Sequence, residues 1–137
     1  MKYILAHDIG TSGDKATLFS ADGKLIGSQV SSYETNYFNY TWVEQDADDW
    51  WNAVCTSSRN LITSLNIDPA DIAVISFSGQ MMGCLCVDKQ GKPLRKAIIW
   101  ADQRAQKQAA QIEEHISQKD FYHIVGHRNT ASYGIQK

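Results

Sequence analysis

The sequence predicts an α/β fold whose sheet opens with three strands joined by tight turns. Two observations support this. Short apolar and β-branched runs alternate with glycine turns over residues 2–34, and helical periodicity appears only later, at residues 46–67 and 102–118. A near-continuous apolar run separates the two helical segments. The predicted order is therefore βββ-α-β-β-β-α, which is typical of a mixed sheet covered by helices.

The opening strands are predicted from three apolar stretches, at residues 2–8, 15–20 and 25–34. A glycine turn separates the first two stretches. Asp22-Gly23, a strong hairpin signal, separates the second from the third. Because both connections are short, neighbouring strands must run in opposite directions, and we expect an antiparallel meander.

The clearest helix is predicted at residues 46–67, after an irregular aromatic segment at 36–45. Asp46 is a suitable N-cap, and two further aspartates place negative charge in the first turn, where the helix dipole favours it. Pro69 prevents continuation. The apolar stripe comprises Trp50, Val54, Leu61 and Leu65, flanked by Trp51, Cys55 and Ile62, and both tryptophans are interpreted as core residues.

The second half of the chain predicts three more strands and two helical segments. Residues 71–79 are almost entirely apolar, which favours a central strand covered on both faces. Further strands are predicted at 83–88 and 97–100, an amphipathic helix at 102–118, and a shorter helix at 119–125. No closing signal follows, so we expect the chain to stop within a domain.

Composition narrows the function classes. The 137 residues are 43% apolar and 20% charged with a net charge of −2, which is ordinary for one compact domain. A nucleic-acid partner would call for a clustered basic surface. There is no run of about 18 apolar residues and no secretory signal, so we expect no membrane partner and a cytoplasmic location.

The cysteines and histidines predict no metal site. The three cysteines, with no C-x-x-C spacing, indicate neither a disulfide framework nor a zinc site. Cys84 and Cys86 would share one face of a strand. These two residues and Cys55 are interpreted as buried, reduced, small apolar residues. His123 and His127 have helical i, i+4 spacing, but a glycine between them argues against a metal pair.

The segment "HDIGTSGDKATLF", residues 7–19, indicates a phosphate-binding turn of a particular kind. Its two glycines fit neither the P-loop spacing nor the dinucleotide fingerprint, and a strand follows instead of a helix. Backbone N–H groups and hydroxyls in the turn suit phosphate oxygens, and Asp8 suits Mg²⁺, directly or through water. A hairpin of small residues without any ligand remains the alternative. The candidate phosphate-binding residues are Gly10, Thr11, Ser12, Gly13 and Lys15.

Four segments together resemble one known family. "DIGTSGDK", "WVEQDADDWW", "ISFSGQMMG" and "AIIWADQRA" occur in the order and spacing of the FGGY carbohydrate kinases, a resemblance that runs from about residue 3 to residue 137. It implies a ribonuclease H-like domain of the actin-like ATPase superfamily, with helices on both faces of the sheet. It also implies ATP and Mg²⁺ as cofactors, and residues 1–137 as the N-terminal part of the first kinase domain, without the second.

The resemblance also implies a sugar pocket. A tryptophan packs beside the substrate in this family, a charged pair shapes the pocket, and the "WVEQD" segment with Trp42, Glu44 and Gln45 holds the connection into the long helix. Lys137 matches a recurrent lysine. For the pair of methionines a core role is the alternative, for Asp102 a helix cap, and for Arg104 a simple ion pair with that aspartate. The implied substrate-binding residues are Gln80, Met81, Met82, Trp100, Asp102 and Arg104.

Met81 and Met82 help to distinguish between the substrates that members of this family phosphorylate. Glycerol kinases of the family carry Arg-Glu after the pocket glutamine, whereas xylulokinases usually carry Met-His; Met81 fits the latter pattern and Met82 fits neither. The nearest subgroup is xylulokinase-like, which implies phosphorylation of a ketose such as xylulose. Alternatives are a kinase for glycerol or another polyol, a nucleotide-binding regulator on the actin-like fold, and an idle domain serving assembly.

The resemblance implies that parts of the enzyme lie outside these 137 residues. In the family the catalytic base is an aspartate further along the first domain, and adenine binds mainly to the second domain. We therefore expect no kinase activity from this chain alone, because the sugar hydroxyl needs a base within hydrogen-bond reach. We also expect exposed apolar surface, and with it association, for example as a homodimer, or marginal stability.

Overall fold

A computed structural model describes residues 2–137 and divides them into two compact units, whereas length alone predicted one. The first unit contains residues 2–34 and Asp46–Gln80; the second contains Thr35–Gln45 and Met81–Lys137. Two short 3₁₀ turns occur at Pro69–Asp71 and Gly134–Gln136. In chain order the other elements are β1 (Tyr3–Ile9), β2 (Gly13–Ser20), β3 (Leu25–Ser32), β4 (Asn36–Phe38), β5 (Trp42–Gln45), α1 (Ala47–Ser64), β6 (Ile72–Gly79), β7 (Ala97–Ile98), α2 (Gln106–Glu113) and α3 (Gln118–Val125).

The sheet of the first unit has the order β3-β2-β1-β6. The first three strands form the predicted antiparallel meander, and β6 pairs with β1 in parallel, so the sheet is mixed as expected. Helix α1 packs against β2 and β3, and its Leu61 joins Leu5, Ala16 and Leu18 in a buried core. Burial of these side chains provides the main driving force for folding of this unit.

Helix α1 begins where the sequence predicted. The Asp46 carboxylate accepts a hydrogen bond of 3.1 Å from the N–H of Asp48, which confirms the N-cap. The buried face consists of Ala53, Val54, Ser57 and Leu61. Trp51 is 64% exposed, so its interpretation as a core residue is wrong: it lies outside the buried face of the helix.

Strand β6 exists as predicted, but it is not a covered central strand. It lies at the edge of the four-stranded sheet, and seven of its eight residues are exposed. Val74, Ile75 and Phe77 are each more than half exposed. Helix α1 lies mainly over β2 and β3 instead, and most side chains of β6 remain exposed. Phe77 stacks on the buried His7 ring at 5.2 Å between ring centroids, yet is still 56% exposed.

The second unit contains an antiparallel sheet of order β4-β5-β7. The segment 36–45, predicted as irregular, supplies two of its strands, joined by a turn in which Asn39 and Tyr40 have positive φ. The pairing of β5 with distant β7 stabilises strands that local patterns do not reveal. The strand predicted at 83–88 is reduced to isolated bridges, and the helix predicted from residue 102 begins at Gln106.

Candidate functional site

The glycine turn joins β1 to β2 and is held by hydrogen bonds within the first unit. The N–H of Gly10 donates to the carbonyl of Gly13 at 3.0 Å, and the Tyr33 hydroxyl donates to the carbonyl of Gly10. The N–H of Gln80 donates to the carbonyl of Ile9 at 3.0 Å. The turn is therefore fixed by β3 and by the residue after β6, which makes it a preorganised structure.

Close approach to β3 explains why a glycine begins β2. A Cβ atom on Gly13 would lie 2.6 Å from the carbonyl oxygen of Ser31 and 2.9 Å from the Cα of Ser32. Both are backbone atoms of a paired strand and cannot rotate away. A Cβ on Gly10 would meet nothing closer than 3.6 Å, so the steric demand falls on only one of these two glycines.

An acid and a lysine face each other beside this turn. Asp8 and Lys15 are directly opposite in the register of β1 and β2, and both are exposed. Ser78 is the partner of Asp8 on the other side, in β6. Sequence reasoning did not single out Ser78, although the parallel pairing of β6 with β1 brings its hydroxyl to the same strand end as Asp8.

The donor set near Asp8 fits a hydrated magnesium ion better than a fully protein-bound one. Among residues 2–137, no group of three or more His, Cys, Asp or Glu side chains could hold a metal. Mg²⁺ commonly uses one or two carboxylates, with water and substrate phosphates completing its shell. A single exposed carboxylate beside a turn rich in N–H and hydroxyl groups is compatible with that mode.

Gln80 lies beside the turn, and the two methionines that follow it belong to the second unit. The Gln80 Nε2 atom donates to the carbonyl of Gly10 at 3.4 Å, near the upper limit for a hydrogen bond. Met81 is 74% exposed, which contradicts the alternative of a core residue. Met82 is half-buried and adopts a φ of 62°, a left-handed conformation uncommon for a residue with a Cβ.

Asp102 is a buried anchor of the second unit. Its carboxylate accepts hydrogen bonds from the N–H of Val43 at 2.6 Å, and from the N–H and the guanidinium of Arg104 at 2.8–3.0 Å. Helix α2 has Ala105 at its N-cap and no side-chain capping bond, so the helix-cap alternative for Asp102 is wrong. The aspartate instead ties β5 to the segment that follows β7.

The guanidinium of Arg104 contacts carboxylates along its edge and an aromatic ring on one face. Its Nη1 pairs with Glu44 at 2.8 Å, its other nitrogens bond Asp102, and the guanidinium lies 3.9 Å from the Trp42 ring centroid. Glu44 also forms an ion pair with Arg95. These contacts favour a pocket-shaping role for Arg104 and Asp102, because they leave the guanidinium few donors for a ligand.

The ionisation of this pair follows from its contacts. Burial alone would raise the pKa of Asp102, but the hydrogen bonds from Arg104 and Val43 outweigh it and lower that pKa below the ordinary range. Burial would lower the pKa of Arg104, yet its bonds to Asp102 and Glu44 raise it. Both groups are therefore charged at neutral pH.

Lys137 joins two backbone segments of the second unit. Its ammonium donates to the carbonyl of Met82 at 3.1 Å and to the carbonyl of Ile99 at 2.7 Å, and burial lowers its pKa. Ile99 immediately precedes Trp100, whose side chain is 41% exposed. The recurrent lysine of the resemblance is thus attached to both segments that carry predicted pocket residues of this unit.

A buried polar network was missed by sequence reasoning. Nδ1 of His7 lies 2.8 Å from Oδ2 of Asp14, and the same oxygen accepts a 2.5 Å hydrogen bond from the Ser57 hydroxyl. Ser58 lies 3.2 Å from the other ring nitrogen of His7. His7 alternates with Leu5 on the inward face of β1, and Asp14 alternates with Ala16 and Leu18 on that of β2. Counting every second residue would therefore have revealed a polar pair facing α1.

The predicted site residues thus fall into two groups, each assembled within one unit. The first unit brings together Asp8, the turn from Gly10 to Gly13, Lys15 and Gln80; the second contains Met81, Met82, Trp100, Asp102 and Arg104. Within residues 2–137, no helix has the length and apolar character that crossing a membrane requires.

Solved structures similar to this chain define its fold class. A xyloylose kinase from Brucella ovis matches 96% of the chain with a TM-score of 0.84 and 28% identity, over 27% of its own length. A gluconate kinase from Lactobacillus acidophilus matches 98% of the chain with a TM-score of 0.89 and 26% identity, also over 27% of its length. The chain therefore has the actin-like ATPase fold of these kinases.

The family follows from the sequence match. The model of the FGGY family of carbohydrate kinases, N-terminal domain, covers residues 3–137, and the chain belongs to this family. A glycerol kinase from Trichormus variabilis is 35% identical over 90% of the chain, and a xylulose kinase from Staphylococcus xylosus is 32% identical over 98%. The chain spans 25% and 27% of these two relatives, about a quarter of their length.

Proposed function

We propose that this chain supplies the phosphate turn and part of the sugar pocket of an ATP-dependent kinase that phosphorylates a ketose such as xylulose. The observation that carries the proposal is the pairing of exposed Asp8 with exposed Lys15 beside the glycine turn. Phosphoryl transfer needs donors for phosphate oxygens, a cation and a carboxylate that positions the metal, and this strand end offers each of them. Residues 1–137 would form the N-terminal part of the first kinase domain, in the cytoplasm.

The proposed mechanism is in-line transfer of the γ-phosphoryl group. Backbone N–H groups at residues 11–13 and the hydroxyls of Thr11 and Ser12 would bind phosphate oxygens, and Lys15 would contact the terminal phosphate. The N–H of Gly10 is committed to the Gly13 carbonyl, so Gly10 would shape the turn and not donate to the ligand. Asp8 orients Mg²⁺ through water or directly. The bound magnesium would neutralise charge on the phosphates; every other contribution comes from the fixed geometry of the turn.

The sugar side of the proposal rests on Gln80 and on the second unit. Trp100 offers a partly exposed ring against which an apolar sugar face can pack, and Met81 presents an apolar side chain to solvent. Arg104 would shape the wall through its contacts with Glu44 and Trp42, and Asp102 would hold Arg104 in place. The general base and the adenine site lie outside this chain in the proposal, so the chain alone has no kinase activity.

A glycerol or polyol kinase is the second candidate, favoured by the 35% identity to the Trichormus variabilis glycerol kinase. Methionines at 81 and 82 argue for the ketose, because a small triol needs hydrogen-bond partners that thioethers supply only weakly. A nucleotide-binding regulator on the same fold is the remaining alternative, and it predicts ATP binding without sugar-dependent turnover.

Chimeric enzymes test the proposal. This chain replaces the matched segment of the Staphylococcus xylosus xylulose kinase and, separately, that of the Trichormus variabilis glycerol kinase, and ADP release is measured over a sugar and polyol panel. We expect turnover with a ketose in the first chimera and loss of glycerol phosphorylation in the second. Lys15→Met is the control and lowers turnover at least about a hundredfold. Folded chimeras without sugar-dependent turnover would refute the kinase proposal, whereas glycerol turnover would favour the polyol alternative.

A further inference from the structure

The pair Cys84 and Cys86 is placed unlike the buried, inert thiols predicted from sequence. Cys84 is half-buried and Cys86 is exposed, and both are free. The two residues are separated by one position in a segment that forms isolated antiparallel bridges, one of them at Cys84. Their thiol groups are hydrogen-bonded to each other. Two accessible sulfur atoms therefore lie in contact on one face of the second unit.

Cross-strand hydrogen bonds fix the backbone that carries these thiols. The N–H of Cys84 donates to the carbonyl of Ile98 at 2.8 Å, and the N–H of Ile98 returns a bond of 2.9 Å to Cys84. The carbonyl of Cys86 accepts from the N–H of Leu94 at 2.9 Å. The thiols are thus attached to a paired segment rather than to a free loop, and little conformational entropy is lost when both bind one ligand.

We propose that Cys84 and Cys86 form a two-thiolate site for a soft, thiophilic metal ion of the Cu(I) class. Binding replaces the two thiol protons with two metal–sulfur bonds, and two protons are released to solvent without any change of oxidation state. Soft thiolate ligands select such ions over Mg²⁺ or Ca²⁺. The site is separate from the proposed kinase function and does not depend on it.

Strand geometry favours a bridging ion over a direct disulfide. Where the backbone is extended, residues i and i+2 lie about 6.6 Å apart, at the upper end of the Cα separations that disulfides tolerate. A metal ion with bonds of about 2.3 Å holds two sulfurs roughly 4–5 Å apart. Two thiols in contact reach that separation with only side-chain rotation.

Charge and ligand number favour Cu(I) among the soft ions. Two thiolates on a monovalent ion leave a net charge of −1, and the cationic side chains of Lys137 and Arg95 are close enough to stabilise negative charge on Cys84. Their influence opposes burial and Cys86, which raise the pKa of that thiol. No cluster of three or more ligating side chains occurs in residues 2–137, and this disfavours Zn²⁺, which takes four ligands.

Competition titration of the reduced 137-residue chain tests the site. Cu(I) is supplied without oxygen from its coloured complex with bicinchoninate, and its transfer to the protein is followed by absorbance. We expect about one tightly held ion per chain, because one pair of thiolates completes a two-coordinate site. Cys84→Ser and Cys86→Ser each weaken binding at least about a hundredfold, since loss of even an outer partner costs 10–100-fold.

Cys55→Ser is the matched control, because Cys55 is the third free cysteine and lies on α1 in the other unit. Its affinity and stoichiometry should equal those of the unmodified chain. X-ray absorption of the loaded chain should show two sulfur neighbours around copper. The proposal is overturned if either single serine variant, shown by circular dichroism to be folded, retains full affinity, or if copper has nitrogen or oxygen ligands.

Discussion

At the scale of single residues, the buried pair His7 and Asp14 is the most consequential polar feature of the first unit. Its side chains are 1% and 0% exposed, and one oxygen of Asp14 serves both His7 and Ser57 while the other has no hydrogen-bond partner among the described residues. Such pairs stabilise little overall, because desolvation offsets their attraction, but removal of one partner leaves the other unpaired.

Asp14→Val should therefore destabilise the chain by about 3–5 kcal/mol, because it leaves the His7 imidazole buried without its acceptor. The double variant His7→Leu/Asp14→Val should recover most of this loss, since two apolar side chains pack without desolvation cost. Urea unfolding measures both variants, and Glu34→Gln, an exposed carboxylate, serves as control. A double variant as unstable as the single one would show that the shapes of the two side chains, and not the hydrogen bond between them, determine the stability of this site.

Tyr33, whose hydroxyl donates to the Gly10 carbonyl in the phosphate turn, should make the stability of the chain depend on pH in the alkaline range. Burial raises its pKa to about 12, with further contributions from Asp14 and Asp8. The pKa in the folded chain is above the unfolded value near 10. The protonated Tyr33 hydroxyl therefore contributes fully to the free energy of unfolding below about pH 10, and this contribution is lost as the pH rises towards 12.

In an ultraviolet titration of the tyrosines, Tyr33 should ionise in a late phase near pH 12, about two pH units above the ordinary value for a phenol. Tyr33→Phe should remove that late phase and should also reduce the loss of stability between pH 10 and 12. If the late phase persists in Tyr33→Phe, another tyrosine is responsible, and the contact of Tyr33 with the Gly10 carbonyl does not protect its hydroxyl.

At the scale of secondary-structure elements, the β1–β2 turn makes unequal demands on its two glycines. Gly13→Ala should destabilise the chain by about 1–3 kcal/mol, because its Cβ would overlap the backbone of β3. Gly10→Ala is the matched control and should change the free energy of unfolding by less than about 0.5 kcal/mol. Thermal unfolding of both variants decides the matter, and equal losses would contradict the steric explanation.

Strand β6 shows that a sequence pattern can predict a strand correctly and its burial wrongly. Its apolar residues correctly predicted a strand, and its parallel pairing with β1 brings Ser78 beside Asp8. Burial, however, depends on neighbouring elements, and helix α1 lies mainly over β2 and β3, which leaves most side chains of β6 exposed. An apolar pattern that indicates a strand buried on both faces is therefore also compatible with an exposed edge strand.

At the scale of the whole molecule, we expect this edge to make the isolated chain associate. Ile72–Gly79 contains no charge and no proline, the usual protections of an edge strand, and Val74 is 51% exposed. We propose a second copy of the chain as the partner, through pairing of β6 with β6. The backbone N–H and C=O groups at the outer edge of β6 would then be paired with those of the second copy.

Sedimentation velocity over a range of concentrations should show a dimer or larger species for the unmodified chain. Val74→Lys should shift the chain to the monomer, because a charge on an edge strand opposes pairing. Leu25→Lys is the matched control: Leu25 is similarly exposed, at 59%, but lies on the opposite edge strand β3, so association should persist. A monomer at all concentrations would contradict the proposal.

Local patterns in the sequence were enough to predict the βββ meander, α1 with its cap, the glycine turn and the family. These features depend on local spacing: alternation, an N-cap, a hairpin and motif order all act over a few residues. The candidate phosphate residues were found in the same way, because a turn and its flanking strand ends are contiguous in the chain.

Contacts between groups far apart in the chain could not be predicted in this way and are known from the folded structure. It paired β5 with β7, connected Asp102 to Val43 and Arg104 to Glu44, buried His7 against Asp14, and brought Cys84 and Cys86 into contact with each other on an accessible face. Each of these arrangements depends on strand register or burial, which are set by non-local pairing energies and not by the residues' own propensities. The same strand pattern is therefore compatible with a covered centre or an open edge until its neighbours are known.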